Sequence, residues 1–311
     1  MRILVVASNN KGSFAPFIGE QAEALKAEGC VVDFFGLKGK GVRGYLNNLS
    51  SLRRKIKEFR PNVVHAHYGL SGLLANLQRK VPVVVTYHGS DINESKVRRF
   101  SKMAIRLASW NIFVSRKTME IVRPKKCCSL LPCGIDLTEL QLTEKNEARR
   151  RMHLDGQKRY VLFAGAFDNP VKNVALAKEA VAQLNDDSVE LLELKGYSRE
   201  EVTLLMCAAD AFLLTSFSEG SPQVIKEALA CGCPIVSVDV GDVRERVEGI
   251  AGCYVSSTCN AQELTDYLQK AFLFEGKTQG RNKLVVDGLD NKMVAQQLIE
   301  VYKRVVKSES C

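Results

Sequence analysis

Two carboxylates, Glu219 and Glu227, flank the start of a helical pattern in Ser216-Phe217-Ser218-Glu219-Gly220-Ser221-Pro222-Gln223-Val224-Ile225-Lys226-Glu227-Ala228-Leu229-Ala230. Pro222 sits where a helix would begin, Ser221 is its candidate cap, and Gly220 leaves room for close approach to the backbone. A helix start presents unpaired backbone N–H groups and the positive end of the dipole, an arrangement suited to a diphosphate. Upstream, Gly165-Ala166-Phe167-Asp168-Asn169-Pro170-Val171-Lys172-Asn173 places Lys172 in what reads as the first turn of another helix. A cation is disfavoured there by the dipole, so an anionic ligand would complement it.

Other patterns carry less. His65-Ala66-His67 puts two imidazoles on one side of a strand end, but no third ligand is evident and the chain has only four histidines, so no metal is expected. No Asp-x-Asp occurs, which disfavours sugar transfer through a metal-chelated diphosphate. Gly39-Lys40-Gly41-Val42-Arg43-Gly44 matches a dinucleotide fingerprint in letters only: it follows the second strand signal, and the next acid is Glu58. It reads as a flexible basic loop whose Lys38, Lys40 and Arg43 could touch an anionic acceptor. Basic residues also cluster in Arg53-Arg54-Lys55-x-Lys57 and along Lys96 to Arg106, the latter interleaved with Val97, Phe100, Met103 and Leu107. That second set suits either a solvated helix or one lying on anionic lipid.

The elements that must position these residues alternate along the chain. Apolar runs at 3–7, 31–35, 62–67, 83–86, 112–115 and 129–131 are separated by helical patterns such as Phe17–Glu28, Leu49–Phe59 and Lys96–Leu107. A polar, basic stretch from Thr143 to Arg159 interrupts them, and strand signals resume at 160–164, 189–194, 211–214 and 234–238. This predicts an α/β chain of two doubly wound, Rossmann-like domains, residues 1–155 and 156–311, facing a central cleft. A final helix at about 291–307 could pack on either. The charge is divided: residues 1–150 hold 26 Lys and Arg against 12 Asp and Glu, whereas residues 151–311 hold 18 against 23. The first half is therefore expected to meet something anionic. Nucleic acid is disfavoured, because no recognition motif or run of stacking aromatics accompanies the charge. The ten cysteines are scattered without Cys-x-x-Cys and read as reduced thiols, no apolar run reaches membrane-span length, and a cytoplasmic protein is expected.

With these segments in view, the sequence resembles the retaining glycosyltransferases of family 4, which have the two-domain GT-B fold. The resemblance rests on the Glu219/Glu227 spacing, Ala230-Cys231-Gly232-Cys233-Pro234-Ile235-Val236-Ser237, Ala209-Asp210-Ala211-Phe212-Leu213-Leu214-Thr215-Ser216, His65-Ala66-His67, Thr86-Tyr87-His88-Gly89-Ser90-Asp91 and Pro132-Cys133-Gly134-Ile135-Asp136. It implies a nucleotide-sugar donor held mainly by the C-terminal domain, a metal-independent reaction with no cofactor, and an acceptor held by the N-terminal domain. Glu227 would accept from the ribose hydroxyls, Glu219 would hold sugar hydroxyls, and Lys172 would neutralise the diphosphate. Gly165, Asn173, Gly220, Ser221, Pro222, Gln223 and Val224 would complete the donor site, with Tyr197 in the loop that meets the base. His88 would face the sugar from the N-terminal domain, as a catalytic group with Lys172 and Glu219. Asn9, Lys11, Gly12 and Tyr68 would contact the acceptor, expected to be a lipid-linked or phosphorylated glycan precursor of the cell envelope.

Two departures from the family pattern stand out. Ala166 and Phe167 follow Gly165 where the family places a phosphate-contacting Arg, and the first loop, Ser8-Asn9-Asn10-Lys11-Gly12-Ser13, lacks the family's glycine pair. Two rival readings share the donor site: a GT-B nucleotide-sugar epimerase, and a catalytically degenerate partner that binds sugar nucleotides. The first half's basic character further implies attachment to the inner face of the plasma membrane.

Overall fold

The computed structural model describes residues 1–125 and 127–308. Their contacts divide into two units: Met1–Gly134 together with the C-terminal segment from Leu289, and Ile135–Gly288. The division falls about twenty residues ahead of the 155 expected from composition. The polar stretch hides a short helix, Lys145–Arg151, that belongs to the second unit. Arg149 and Lys145 fasten it there by donating to Asp210 at 2.7 and 2.5 Å.

The first unit holds six parallel strands: β1 (Arg2–Ser8), β2 (Val31–Leu37), β3 (Val63–His67), β4 (Val83–Tyr87), β5 (Trp110–Phe113) and β6 (Cys128–Leu130), in the order β2-β1-β3-β4-β5-β6. The strands are nearly continuous apolar runs because both faces are covered. Ile3, Val5, Val63, Val84 and Ile112 face a layer that includes Ile18, Leu25, Leu298 and Tyr302. Leu4, Val6, Val64, Val85 and Phe113 face Leu52, Ile56, Leu73 and Leu74. The final helix, Asn291–Ser308, thus seals one face of the first unit's sheet beside the helix Pro16–Ala27.

The second unit holds five parallel strands: β7 (Arg159–Phe163), β8 (Val189–Glu193), β9 (Ala211–Leu214), β10 (Ile235–Val238) and β11 (Cys253–Ser256), in the order β11-β10-β9-β7-β8. Edge strand β11 has no counterpart among the sequence signals. Unlike β9 and β10, which are equally short but fully buried, it is mostly only partly buried and reads as Cys-Tyr-Val-Ser, with no apolar run. Alternate residues of the central strands (Val161, Phe163, Ala211, Leu213, Val236, Val238) meet Leu176, Ala177, Leu264 and Leu268 on the helices Val174–Ala182 and Ala261–Phe272.

In each sheet the chain reverses its direction of travel at one place, between β1 and β3 and between β7 and β9. There the loops leaving the carboxyl ends of adjacent strands diverge and leave a crevice, the usual ligand position in such sheets.

Candidate functional site

At the second unit's switch point, the loops after β7 and β9 are tied together. Thr215 Oγ1 donates to the carbonyls of Lys172 and Asn173 at 2.9 and 3.0 Å, and Phe217 N donates to Val171 O at 3.0 Å. Lys172 ends a 3₁₀ turn, Pro170–Lys172, whose start is capped by Asn169. It does not stand in the first turn of an α-helix, as its sequence position suggests. Asn173 follows in the left-handed region and the helix Val174–Ala182 begins after it. Lys172 Nζ donates to Glu219 Oε1 at 2.8 Å, and both side chains are 17% exposed. Gly165 makes room for the lysine: a Cβ there would lie 3.0 Å from Lys172 Cγ.

The helix Gln223–Ala230 starts one residue later than expected. Pro222 is its cap residue, in an extended conformation with no side-chain capping bond. Ser221 is not the cap; its hydroxyl donates to Asp242 at 2.8 Å. The first-turn N–H groups of this helix, at Gln223 and Val224, have no intrahelical acceptor, as at any helix start. Glu227 lies half-buried one turn in. Tyr197 stands 41% exposed in the neighbouring loop between β8 and the helix Arg199–Ala208. Where the family places an arginine, the Phe167 N–H donates to Glu193 Oε2 at 2.7 Å, so a carboxylate occupies this rim.

The first unit gathers a second set at the carboxyl ends of β3 and β4. His88, after β4, lies with Nε2 3.0 Å from His67 Nδ1, and its ring packs against Tyr68 and Phe17. Burial holds the His65 imidazole down at about 3, and burial with the neighbouring His65 and His88 holds His67 well below the usual histidine range. Both rings are therefore neutral at physiological pH. His65 bridges Thr86 Oγ1 at 2.8 Å and the Tyr302 hydroxyl at 2.7 Å. Three of the pair's four nitrogens have protein partners, and His67 Nε2 is buried without one. Among the described residues, no cluster of three or more His, Cys, Asp or Glu side chains is arranged to hold a metal.

Asp91 is a member of this set to which sequence reasoning gave no role. Its carboxylate accepts from the N–H groups of Gly69 (2.9 Å), His88 (3.0 Å) and Gly89 (3.1 Å), so it fixes the turns after β3 and β4. Burial raises it to about 6 despite these bonds. Its signal was its place three residues after His88 in a short turn. Tyr68, at φ 72°, is pushed up to about 12 by burial and by Asp91. Asn9, Lys11 and Gly12 lie in the loop after β1. Asn9 Oδ1 is buried without a hydrogen-bond partner, whereas Lys11 and Gly12 are exposed. The Gly39–Gly44 segment is no loop: Gly41–Leu46 is helical, and its two outer glycines pack on each other where a Cβ would clash at 2.8 Å.

Matches to known proteins follow the same division. The family model for Glycosyltransferase Family 4 covers residues 13–139, and that for Glycosyl transferases group 1 covers residues 188–272. The first unit thus resembles Glycosyltransferase Family 4 and the second Glycosyl transferases group 1. It is 31% identical over 221 residues to a putative teichuronic acid biosynthesis glycosyltransferase, TuaC, of Bacillus subtilis, covering 61% of this chain and 56% of that one. It is 29% identical over 158 residues, 48% of this chain and 38% of the relative, to the N,N'-diacetylbacillosaminyl-diphospho-undecaprenol alpha-1,3-N-acetylgalactosaminyltransferase of Campylobacter jejuni. The chain spans about half the length of such relatives. Among solved structures, a sucrose-phosphate synthase from Thermosynechococcus elongatus superposes with a TM-score of 0.82 at 17% identity, covering 99% of this chain and all of that one. Anabaena HepE in complex with UDP-glucose superposes at 0.74 and 18% identity, covering 98% and 100%.

Proposed function

We propose that this chain is a retaining, metal-independent glycosyltransferase that moves a hexose or N-acetylhexosamine from a nucleotide-diphosphate sugar to a lipid-linked or phosphorylated glycan in cell-envelope polysaccharide synthesis. The observation that carries the reading is the Lys172–Glu219 pair at the second unit's switch point, beside the start of the helix Gln223–Ala230. Breaking the bond between the anomeric carbon and the leaving phosphate oxygen develops negative charge on the diphosphate. Lys172 and the first-turn N–H groups meet that charge with donors fixed in advance, which lowers the barrier without a metal. Glu219 and Glu227 accept from sugar and ribose hydroxyls. Attack from the face the leaving group departs, with the phosphate oxygen taking the acceptor's proton, retains the configuration and needs no side-chain nucleophile. His88 is the first unit's contribution, and Asn9, Lys11, Gly12 and Tyr68 take the acceptor.

The names of the Bacillus and Campylobacter relatives support a cell-envelope acceptor, and the UDP-glucose complex of the Anabaena structure supports a nucleotide-sugar donor. The helix Ser95–Leu107 supports an anionic membrane as the place of work. It has five basic residues, no acidic one, and Met103 and Leu107 half exposed between them. No helix among the described residues is long and apolar enough to cross a membrane.

A second reading draws on one observation, the Phe167–Glu193 contact where a cation is expected, which suits a partner that binds donor without turning it over. Incubation with radiolabelled UDP-, GDP- and ADP-sugars and undecaprenyl-diphosphate-linked acceptors separates the two. Label in the lipid phase with an α-anomeric product supports the transferase. Nucleotide binding without label transfer overturns it in favour of the partner, and a C2-inverted sugar from donor alone indicates an epimerase.

A further inference from the structure

Beneath the turn that carries Glu219 to Gln223 lies a cluster of buried charges with no evident part in a core. Lys226 has no solvent exposure, Asp242 is 3% exposed, and Arg246 is largely buried. An ammonium is almost never buried without compensation: Lys226 Nζ donates to Gln223 Oε1 at 2.6 Å, and its charge, with that of Arg246, offsets the burial that raises the Asp242 carboxyl. Arg246 lies 3.3 Å from Asp242 Oδ2 and is tied on its far side to Asp287 at 2.7 Å. That same Oδ2 accepts the Ser221 hydroxyl, while Oδ1 is buried without a hydrogen-bond partner. Asp242 Oδ2 is therefore shared by Arg246 and the Ser221 hydroxyl, while Lys226 holds the turn itself through Gln223.

A second contact fixes the turn from the same side. Gly241, at φ 55°, lies so close that a Cβ would stand 2.4 Å from the Gly220 carbonyl oxygen. The loop after β10 thus meets the loop after β9 by backbone against backbone and by one charge-assisted hydrogen bond. Ser221 and Gly220 are the residues just ahead of the helix start to which the donor diphosphate is assigned. Their position decides where those N–H groups point.

We propose that Asp242 is a positioning residue: through Ser221, and backed by Lys226 and Arg246, it holds the Gly220–Gln223 turn in the geometry that receives a nucleoside diphosphate. Arg246 anchors the carboxylate and Lys226 ties Gln223, so that the turn is rigid before ligand arrives, and preorganised donors lose less on binding. The functional half of this inference rests on the nucleotide-sugar reading; the structural half does not.

The test compares backbone amide exchange and binding of UDP, ADP and GDP in the wild-type chain, Ser221→Ala, Ser221→Thr and Asp242→Asn. In Ser221→Ala, amides of residues 217–224 exchange about tenfold faster, those of β9 do not change, and the best-binding nucleoside diphosphate loses about tenfold in affinity, the usual scale for a hydrogen bond to a charged group. Ser221→Thr, which keeps the hydroxyl, restores both. Asp242→Asn reproduces the local effect; should it fail to fold because the buried cations lose a neighbouring negative charge, the serine pair still decides. Wild-type exchange in the turn of Ser221→Ala, or acceleration spread evenly through the unit, overturns the proposal. If the wild-type chain binds none of the three nucleotides, the nucleotide-sugar reading falls, and the exchange profile alone judges the anchoring.

Discussion

Lys172 Nζ donates to Glu219 Oε1 across 2.8 Å, joining the loop after β7 to the loop after β9. The two residues are 47 positions apart in sequence, yet each is the charged member of its loop that lies at the sheet's switch point. In the unliganded chain the pair neutralises itself while largely withdrawn from water. A diphosphate would draw on the ammonium, and sugar hydroxyls on the carboxylate.

Lys172→Ala is therefore expected to lower kcat by about 10²–10³ with the fold intact, the cost of removing one preorganised donor from developing charge. Steady-state kinetics with circular dichroism check it. A wild-type kcat in that variant would remove Lys172 from the mechanism.

Glu227→Gln should cut kcat/KM at least about tenfold, chiefly through donor KM, since its assigned hydroxyl contacts exist before and during bond breaking. The helix Gln223–Ala230 buries Ile225, Ala228 and Leu229, not Glu227, so folding should be untouched. An equal drop in kcat at unchanged KM would assign it a different role.

Gly165→Ala tests the space beneath the lysine. The added methyl would stand 3.0 Å from Lys172 Cγ, so the stem must give by a few tenths of an ångström and the Glu219 contact is strained. A loss of activity smaller than that of Lys172→Ala is expected, with some loss of thermal stability because Gly165 has a positive φ of 159°. Wild-type activity would show that the stem adapts without disturbing the pair.

Asp210 binds the helix Lys145–Arg151 into the second unit through Lys145, Arg149 and the Tyr160 N–H. Asp210→Ala leaves the largely buried Arg149 without its carboxylate, and breaking such a partly buried pair costs about 3 kcal/mol. Chemical denaturation should show this loss, while Glu147→Ala, which removes an exposed pair with Arg150, should change stability by less than about 0.5 kcal/mol.

The first unit should respond to acid with a definite sign. His65 and His67 have lowered pKa values in the folded state, so as pH falls below about 6.5 the unfolded chain takes up protons that the folded chain refuses, and stability drops. Asp91 opposes this: at about 6 when folded against an ordinary value near 3.8, it takes up a proton in the native state first. At pH 5 these three groups together give about one proton bound on unfolding, and Asp91→Asn should raise that to about two. The slope of unfolding free energy against pH between 4.5 and 5.5 measures both. An unchanged slope in the variant would contradict the Asp91 assignment.

Much of this was legible in the order of residues. Parallel strands buried on both faces are runs of Val, Ile and Leu, so ten of the eleven strands announced themselves, and the alternation with amphipathic helices required doubly wound sheets. The helix start before Gln223 and the lysine near Gly165 showed in local chemistry. Edge strand β11, only partly buried and without an apolar run, did not. Nor did the division at Gly134, because the helix Lys145–Arg151 is polar and its allegiance depends on Asp210, about sixty residues away. What only the tertiary structure decided is which charges meet. The Lys172–Glu219 pair, the Ser221–Asp242 bond that displaced an expected cap, and the buried Lys226 all depend on strand order, which brings distant loops to one sheet edge. Sequence spacing carries periodicity; it does not carry adjacency across a sheet.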